Sequence, residues 1–101
     1  MKYKQVTITF DDKRLSHVFV TSREGVGVFE RILQDPIQQA PRRILNNAFD
    51  AIMELIRLAV WENADKDTIW LLLNDLYVIK IALGVIIRGH RVIDITLDEE
   101  V

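Results

Sequence analysis

The chain has 101 residues, half of them apolar, with a formal net charge of −2, four glycines, two prolines and no cysteine. That length and apolar content exclude disorder and predict a single domain over residues 1–101, whose core hides only about 60 to 70 % of the unfolded surface, so that oligomerisation is a natural supplement. Thirteen Lys and Arg against fifteen Asp and Glu exclude a generally basic nucleic-acid binder, and the missing thiols exclude disulfides, thiolate metal centres and cysteine nucleophiles, in keeping with a reducing, cytoplasmic setting.

Met1-Lys2-Tyr3-Lys4-Gln5 has no apolar run behind it, so no signal peptide is expected there. Residues 4–10 alternate strictly, with Val6, Ile8 and Phe10 on one face and Gln5, Thr7 and Thr9 on the other, which predicts a half-buried strand. Asp11-Asp12-Lys13-Arg14 supplies a turn, and residues 15–22 form a second β-rich run that folds back as a hairpin. Its inward face is ambiguous between Leu15, His17 and Phe19 and the Val18 and Val20 pair, which allows a strand covered on both sides. Arg23-Glu24-Gly25-Val26-Gly27 then breaks the β pattern and reads as a turn. Phe29, Ile32 and Leu33 follow at helical spacing up to an Asp35-Pro36 stop, which predicts a short helix. The G-x-G lacks the third glycine and the Lys-Ser/Thr that a phosphate loop needs.

After a connector from Pro36 to Pro41, a long amphipathic helix is predicted from Pro41 to about Asn63. Leu45, Ala48, Phe49, Ile52, Leu55, Ile56 and Ala59 form its buried stripe, and Arg43, Asn46, Asn47, Asp50, Glu54 and Arg57 its wet one. Ala64-Asp65-Lys66-Asp67 links it to a returning helix at about 68–88, giving an αα-hairpin. Residues 69–87 carry only Asn74, Asp75 and Lys80 as strongly polar members, which raises the question of a membrane span. Two ionisable groups in mid-segment, each costing roughly 2.5–3.5 kcal/mol at a bilayer centre, argue against a span and for a helix covered on nearly every side. Gly89 ends it, and residues 92–97 make a last alternating strand with Ile93, Ile95 and Leu97 on one face, before a solvated Asp98-Glu99-Glu100 tail. The fold expected is α+β: a β-hairpin, a short helix, a long antiparallel αα-hairpin and a C-terminal strand, with a three-stranded sheet packed on helices. Its open sheet edges and apolar helix surface invite association.

In an antiparallel hairpin, Arg42 and Arg43 at one helix N-terminus fall beside Arg88, His90 and Arg91 at the other C-terminus, while Glu62, Asp65 and Asp67 gather at the opposite pole, roughly 30 Å away. Arg88 complements the helix dipole, whereas Arg42 and Arg43 oppose it and call for an anion. That anion is either Asp94, Asp98 or Glu99 on the last strand or an external phosphate or carboxylate. Asp75 shares a face with Leu71, Leu72, Val78, Ile79, Ala82 and Ile86, so a carboxylate lies among apolar neighbours and must be paired, hydrogen-bonded or protonated. Asn74, Tyr77, Lys80, Gly84 and Arg88, with Trp70 at their edge, make an aromatic and polar stripe suited to a helix–helix interface between protomers. Trp61 on the wet face near Glu54 and Arg57 is a hot-spot candidate. The alternative for both is cover from within the chain, by the short helix or the last strand.

His17 and His90 lack metal-binding spacing, Ser16 and Ser22 lack a nucleophile elbow, and the acidic pairs Asp11-Asp12 and Glu99-Glu100 read as solvated charge. No metal or cofactor is therefore expected. The pattern points to a non-catalytic, self-associating binding protein that captures an anionic ligand, such as a nucleotide, or an acidic protein surface at its arginine pole. The alternative is a protein-binding inhibitor or accessory factor, of the compact kind encoded by phages and plasmids, acting through Trp61 or a sheet edge. An enzyme using Asp75 or His90 on a phosphorylated substrate has no recognisable catalytic constellation behind it.

Overall fold

Strict alternation makes Lys4–Phe10 a strand, β1, and its Val6, Ile8 and Phe10 side chains are fully buried. The computed structural model describes residues 4–21, 23–34 and 40–99. Expectations for the N-terminal tripeptide, Ser22, most of the Pro36–Pro41 connector and Glu100 therefore fall outside the described residues. Leu15, expected in the second strand, instead closes a 3-10 turn over Lys13–Leu15, capped by the Asp12 carboxylate accepting from the Arg14 backbone N–H at 3.0 Å. The strand proper, β2, is His17–Thr21. The odd-numbered side chains face inward: Phe19 and Thr21 are buried, while Val18 and Val20 are exposed.

The helices follow as α1 (Arg23–Gln34), α2 (Pro41–Trp61) and α3 (Lys66–Ile87), and β3 (Val92–Glu99) closes the chain. The order in the open sheet is β2-β1-β3, antiparallel throughout, and the helices pack on one face in an α+β arrangement. The core is built from β1, Phe19 of β2, Val28, Phe29 and Ile32 of α1, Ile44, Leu45, Ala48 and Ile52 of α2, and Leu72, Ile79, Ala82 and Val85 of α3. Phe19 and Phe29 meet edge to face at 6.0 Å between ring centroids, joining the hairpin to α1.

Four expectations need correction. Gly25-Val26-Gly27 is helical, not a turn, because α1 begins at Arg23. The glycines weaken that turn by about 0.5–1 kcal/mol each, less than the burial of Val28, Phe29 and Ile32 returns. Ile93 is 67 % exposed and does not share the inner face with Ile95 and Leu97. The register shifts between Thr9, opposite Asp94, and Phe10, opposite Val92, so Ile93 sits on a bulge and Val92 turns to the core instead. Asp98 and Glu99 pair with β1 as the end of β3 rather than trailing as a tail. Finally, α3 is not covered on nearly every side, since only 28 % of its apolar segment is buried.

Both long helices end in the same device. At the end of α2 the N–H groups of Asn63 and Ala64 bond back to the carbonyls of Val60 and Ala59, with Asn63 at φ 55°. At the end of α3 those of Gly89 and His90 bond to Ile86 and Val85, with Gly89 at φ 101°. These are Schellman turns, which need a left-handed residue just past the helix. Between them Asp65 caps α3, its carboxylate accepting from the Thr68 backbone N–H at 2.8 Å.

Candidate functional site

The arginine pole assembles in part as the sequence implies. The first turn of α2 and the exit from α3 meet at a shallow cavity of about 250 Å³ lined by Ala40, Pro41, Arg42, Ile86, His90, Arg91 and Val92. Arg42 and Arg91 are exposed at its rim, and neither forms an ion pair among the described residues. Arg43 and Arg88 lie at the same end outside its lining, and Arg43 is engaged within the chain. The acid of this pole is Asp11, in the turn after β1. His90 Nδ1 lies 3.3 Å from Asp11 Oδ1, and the Asp11 backbone N–H donates to the Arg91 carbonyl at 2.9 Å. Partial desolvation raises the Asp11 carboxyl, but hydrogen bonds from the Arg91 and Asp12 backbones and from His90 outweigh it and hold the group below the ordinary carboxylate range. Sequence spacing gave no hint of Asp11, because the β1–β3 pairing brings it to His90 across 79 positions.

Asp75 is fully buried, and the Thr21 hydroxyl donates to its Oδ2 at 2.7 Å. Both groups are inaccessible to solvent, and the bond ties the edge strand β2 to the middle of α3. Asp75 is not among the residues that line the cavity at the arginine pole. His17 packs edge to face on Phe10 at 6.0 Å, with its Nε2 buried and lacking a hydrogen-bond partner among the described residues. No group of three His, Asp or Glu converges as a metal site among the described residues.

The outer face of α3 is the largest departure from an ordinary surface. Trp70 is 71 % exposed, Tyr77 64 % and Ile87 71 %, with Leu73 and Ile81 open beside them and Asn74, Lys80, Gly84 and Arg88 on the same side. Trp70, Leu73, Asn74 and Tyr77 line a groove of about 410 Å³. Neither α1 nor β3 covers this stripe. Sequence reasoning singled out Trp70, Asn74, Tyr77 and Lys80 but not Leu73, Ile81 or Ile87, which fell under the general expectation of a covered helix. For Leu73 and Ile81 the signal was available: each lies four residues from Tyr77 and so shares its side of the helix. By length and composition alone, with a mean hydropathy of 1.9, α3 is a helix that could cross a membrane.

Trp61, at the end of α2, is 85 % exposed and lines a separate depression of about 380 Å³ with Arg57 and Leu58. Glu54 and Arg57 form an exposed ion pair at 2.7 Å one turn away, so their charges answer each other. No protein-family model, curated protein or solved structure matches this chain.

Proposed function

We propose that this chain is a non-catalytic interaction module that self-associates through the outer face of α3 and offers its arginine pole to an anionic ligand or an acidic protein surface. The observation that carries the reading is the exposed stripe from Trp70 to Ile87, an aromatic and aliphatic surface with no cover among the described residues. Contiguous exposed apolar surface of this kind marks an interaction face in a soluble protein. For the pole, the support is the convergence of Arg42, His90 and Arg91 on one cavity, with two guanidinium groups open to a forked, charge-assisted pairing with phosphate or carboxylate.

Sedimentation equilibrium over a range of protein concentrations tests the first half, with a concentration-dependent rise in mass expected and an invariant monomer mass refuting it. Titration with inorganic phosphate, followed by amide chemical shifts, tests the second. Shifts should centre on Arg42, His90 and Arg91 and vanish in the Arg42→Gln, Arg91→Gln double variant; shifts unchanged by that variant would remove the pole from consideration.

A second reading, an inhibitor or accessory factor that grips a protein partner, is favoured by Trp61 alone, whose indole stands almost fully exposed beside Leu58. Under it, Trp61→Ala abolishes capture of the partner and leaves both the sedimentation behaviour and the phosphate titration unchanged.

A further inference from the structure

We propose that two copies of this chain pair through α3 in antiparallel sense, about a two-fold axis at Tyr77, so that the arginine pole of each lies alongside the acidic end of the other. This rests on the self-association reading above and specifies its partner and geometry.

The stripe itself carries the argument. At 100° per residue, Trp70, Leu73, Ile81, Gly84 and Arg88 all fall within about 40° of Tyr77, making one straight band along the helix. The band is arranged symmetrically about its centre. Trp70 and Gly84 each stand seven positions from Tyr77, and Leu73 and Ile81 each stand four. An antiparallel two-fold at Tyr77 therefore brings the indole of one copy level with the glycine of the other, and each Leu73 level with an Ile81. Large meets small, and aliphatic meets aliphatic. A self-complementary patch of this kind closes at two copies instead of propagating.

Gly84 supplies an independent reason. It is fully helical, and a Cβ built on it meets nothing within 4 Å. No packing within the chain requires a glycine there, yet a glycine inside a helix costs about 0.5–1 kcal/mol against alanine. On the exposed band it gives a partner's aromatic ring a place to rest against backbone. Asn74 and Lys80, each three positions and about 60° from Tyr77, flank the band on opposite sides, polar edges that suit a protein partner and not a hydrocarbon one.

Charge then fixes the direction. The N-terminal end of α3 carries exposed Glu62, Asp65 and Asp67, offset only by Lys66, and its C-terminal end carries exposed Arg88 and Arg91 with Arg42 of α2 beside them. Antiparallel pairing brings Lys66 level with Arg88, each eleven positions from Tyr77, but sets the net acidic end of each copy beside the net basic end of the other and opposes the two helix dipoles, whereas parallel pairing stacks like on like.

The chain has no cysteine, so single-cysteine variants of the full chain report the geometry directly. With a short bifunctional maleimide, Tyr77→Cys is expected to link to itself. Leu73→Cys and Ile81→Cys, whose like positions lie eight residues, about 12 Å, apart along the paired helices, are expected not to self-link but to link when the two variants are mixed. Leu73→Glu, with an unchanged circular dichroism spectrum, should weaken association at least about tenfold. Self-linking of Leu73→Cys and Ile81→Cys without mixing would overturn the proposal in favour of a parallel pair. A dimer that shows none of these links, or that survives Leu73→Glu, would overturn it while leaving self-association through another surface standing. A monomer at every concentration, or a protein that partitions into phosphatidylcholine vesicles through α3, would remove the wider reading with it.

Discussion

Gly27 and Gly84 form a matched pair on which the reasoning about α3 can be tested. Each lies inside a helix with helical backbone, and at each an added Cβ meets nothing within 4 Å. Replacing either by alanine removes unfolded-state freedom without introducing a clash, so each isolated chain should gain about 0.5–1 kcal/mol. In a domain of this size that corresponds to a rise in Tm of roughly 2–8 °C. The two part company when chains associate. Gly27 sits on the open side of α1, so its gain should be independent of protein concentration. At Gly84 the new methyl lies where the proposed partner's indole rests, and overpacking there costs about 1–3 kcal/mol of the paired state. Urea unfolding at low and high protein concentration separates these terms, because the stability of an associating chain rises with concentration. Gly27→Ala should stabilise equally at both; Gly84→Ala should stabilise when dilute and lose that advantage when concentrated. A dilute Gly84→Ala chain less stable than the parent would refute the account of the helix, and gains identical to those of Gly27→Ala at every concentration would show that Gly84 meets no partner.

Further expectations concern the frame that holds these surfaces. Gly89→Ala should cost about 1–2 kcal/mol in urea unfolding, because φ 101° lies outside what an L side chain accepts, and the Schellman turn that aims His90 and Arg91 should loosen with it. Thr21→Val should cost about 1–3 kcal/mol by stripping a donor from the buried Asp75 carboxylate, while Thr21→Ser should retain most of the stability. The Asp65 carboxyl is held below the ordinary carboxylate range by its hydrogen bonds from the Thr68 side chain and backbone. A depressed carboxylate lends stability that is complete above its unfolded pKa and disappears as pH falls through the folded value. Asp65→Asn keeps a capping side chain but no titration, so it should flatten the acid limb of a stability–pH curve below about pH 4; an unchanged acid limb would count against the capping bond.

Much of the frame was legible because local and long-range demands agree. The alternation of Val6, Ile8 and Phe10, Pro41 at the start of α2, Asp65 before α3 and Gly89 after it each act within a few residues, and each does in the fold what its chemistry implies. Other features depend on what a distant segment does. Gly25 and Gly27 read as a turn until the burial of Phe29 against Phe19 draws the first turn of α1 into the helix. Ile93 alternates correctly in the sequence, but a one-residue shift against β1 turns it out and Val92 in. The arginine pole was legible as charge on paired helix ends; its acid was not, since Asp11 reaches His90 only through strand pairing. Asp75 was legible as a buried polar group, and its partner Thr21 was hidden by a separation of 54 residues.

The hardest element to read is α3, and the reason bears on what the protein does. An amphipathic helix announces which side faces water, as α2 does, but α3 is apolar around its whole circumference. From sequence that pattern means enclosure, and among the described residues the enclosure is half supplied: β2 and α2 take the side with Leu72, Asp75, Ile79 and Ala82, and none of them takes the side with Trp70, Tyr77 and Ile87. A helix apolar on both sides and covered on one leaves its second side open to a partner. A three-stranded sheet with one layer of helices cannot provide the missing layer, and a lipid phase would have to accept Lys80 and Asn74 at the edges of the stripe. A second α3, run the opposite way, supplies an apolar surface of the same length, places opposite charges at both ends and finds a gap at Gly84 for its tryptophan. On the pairing proposed above, the sequence pattern of α3 and its one-sided burial have a single cause, a second copy on the open side.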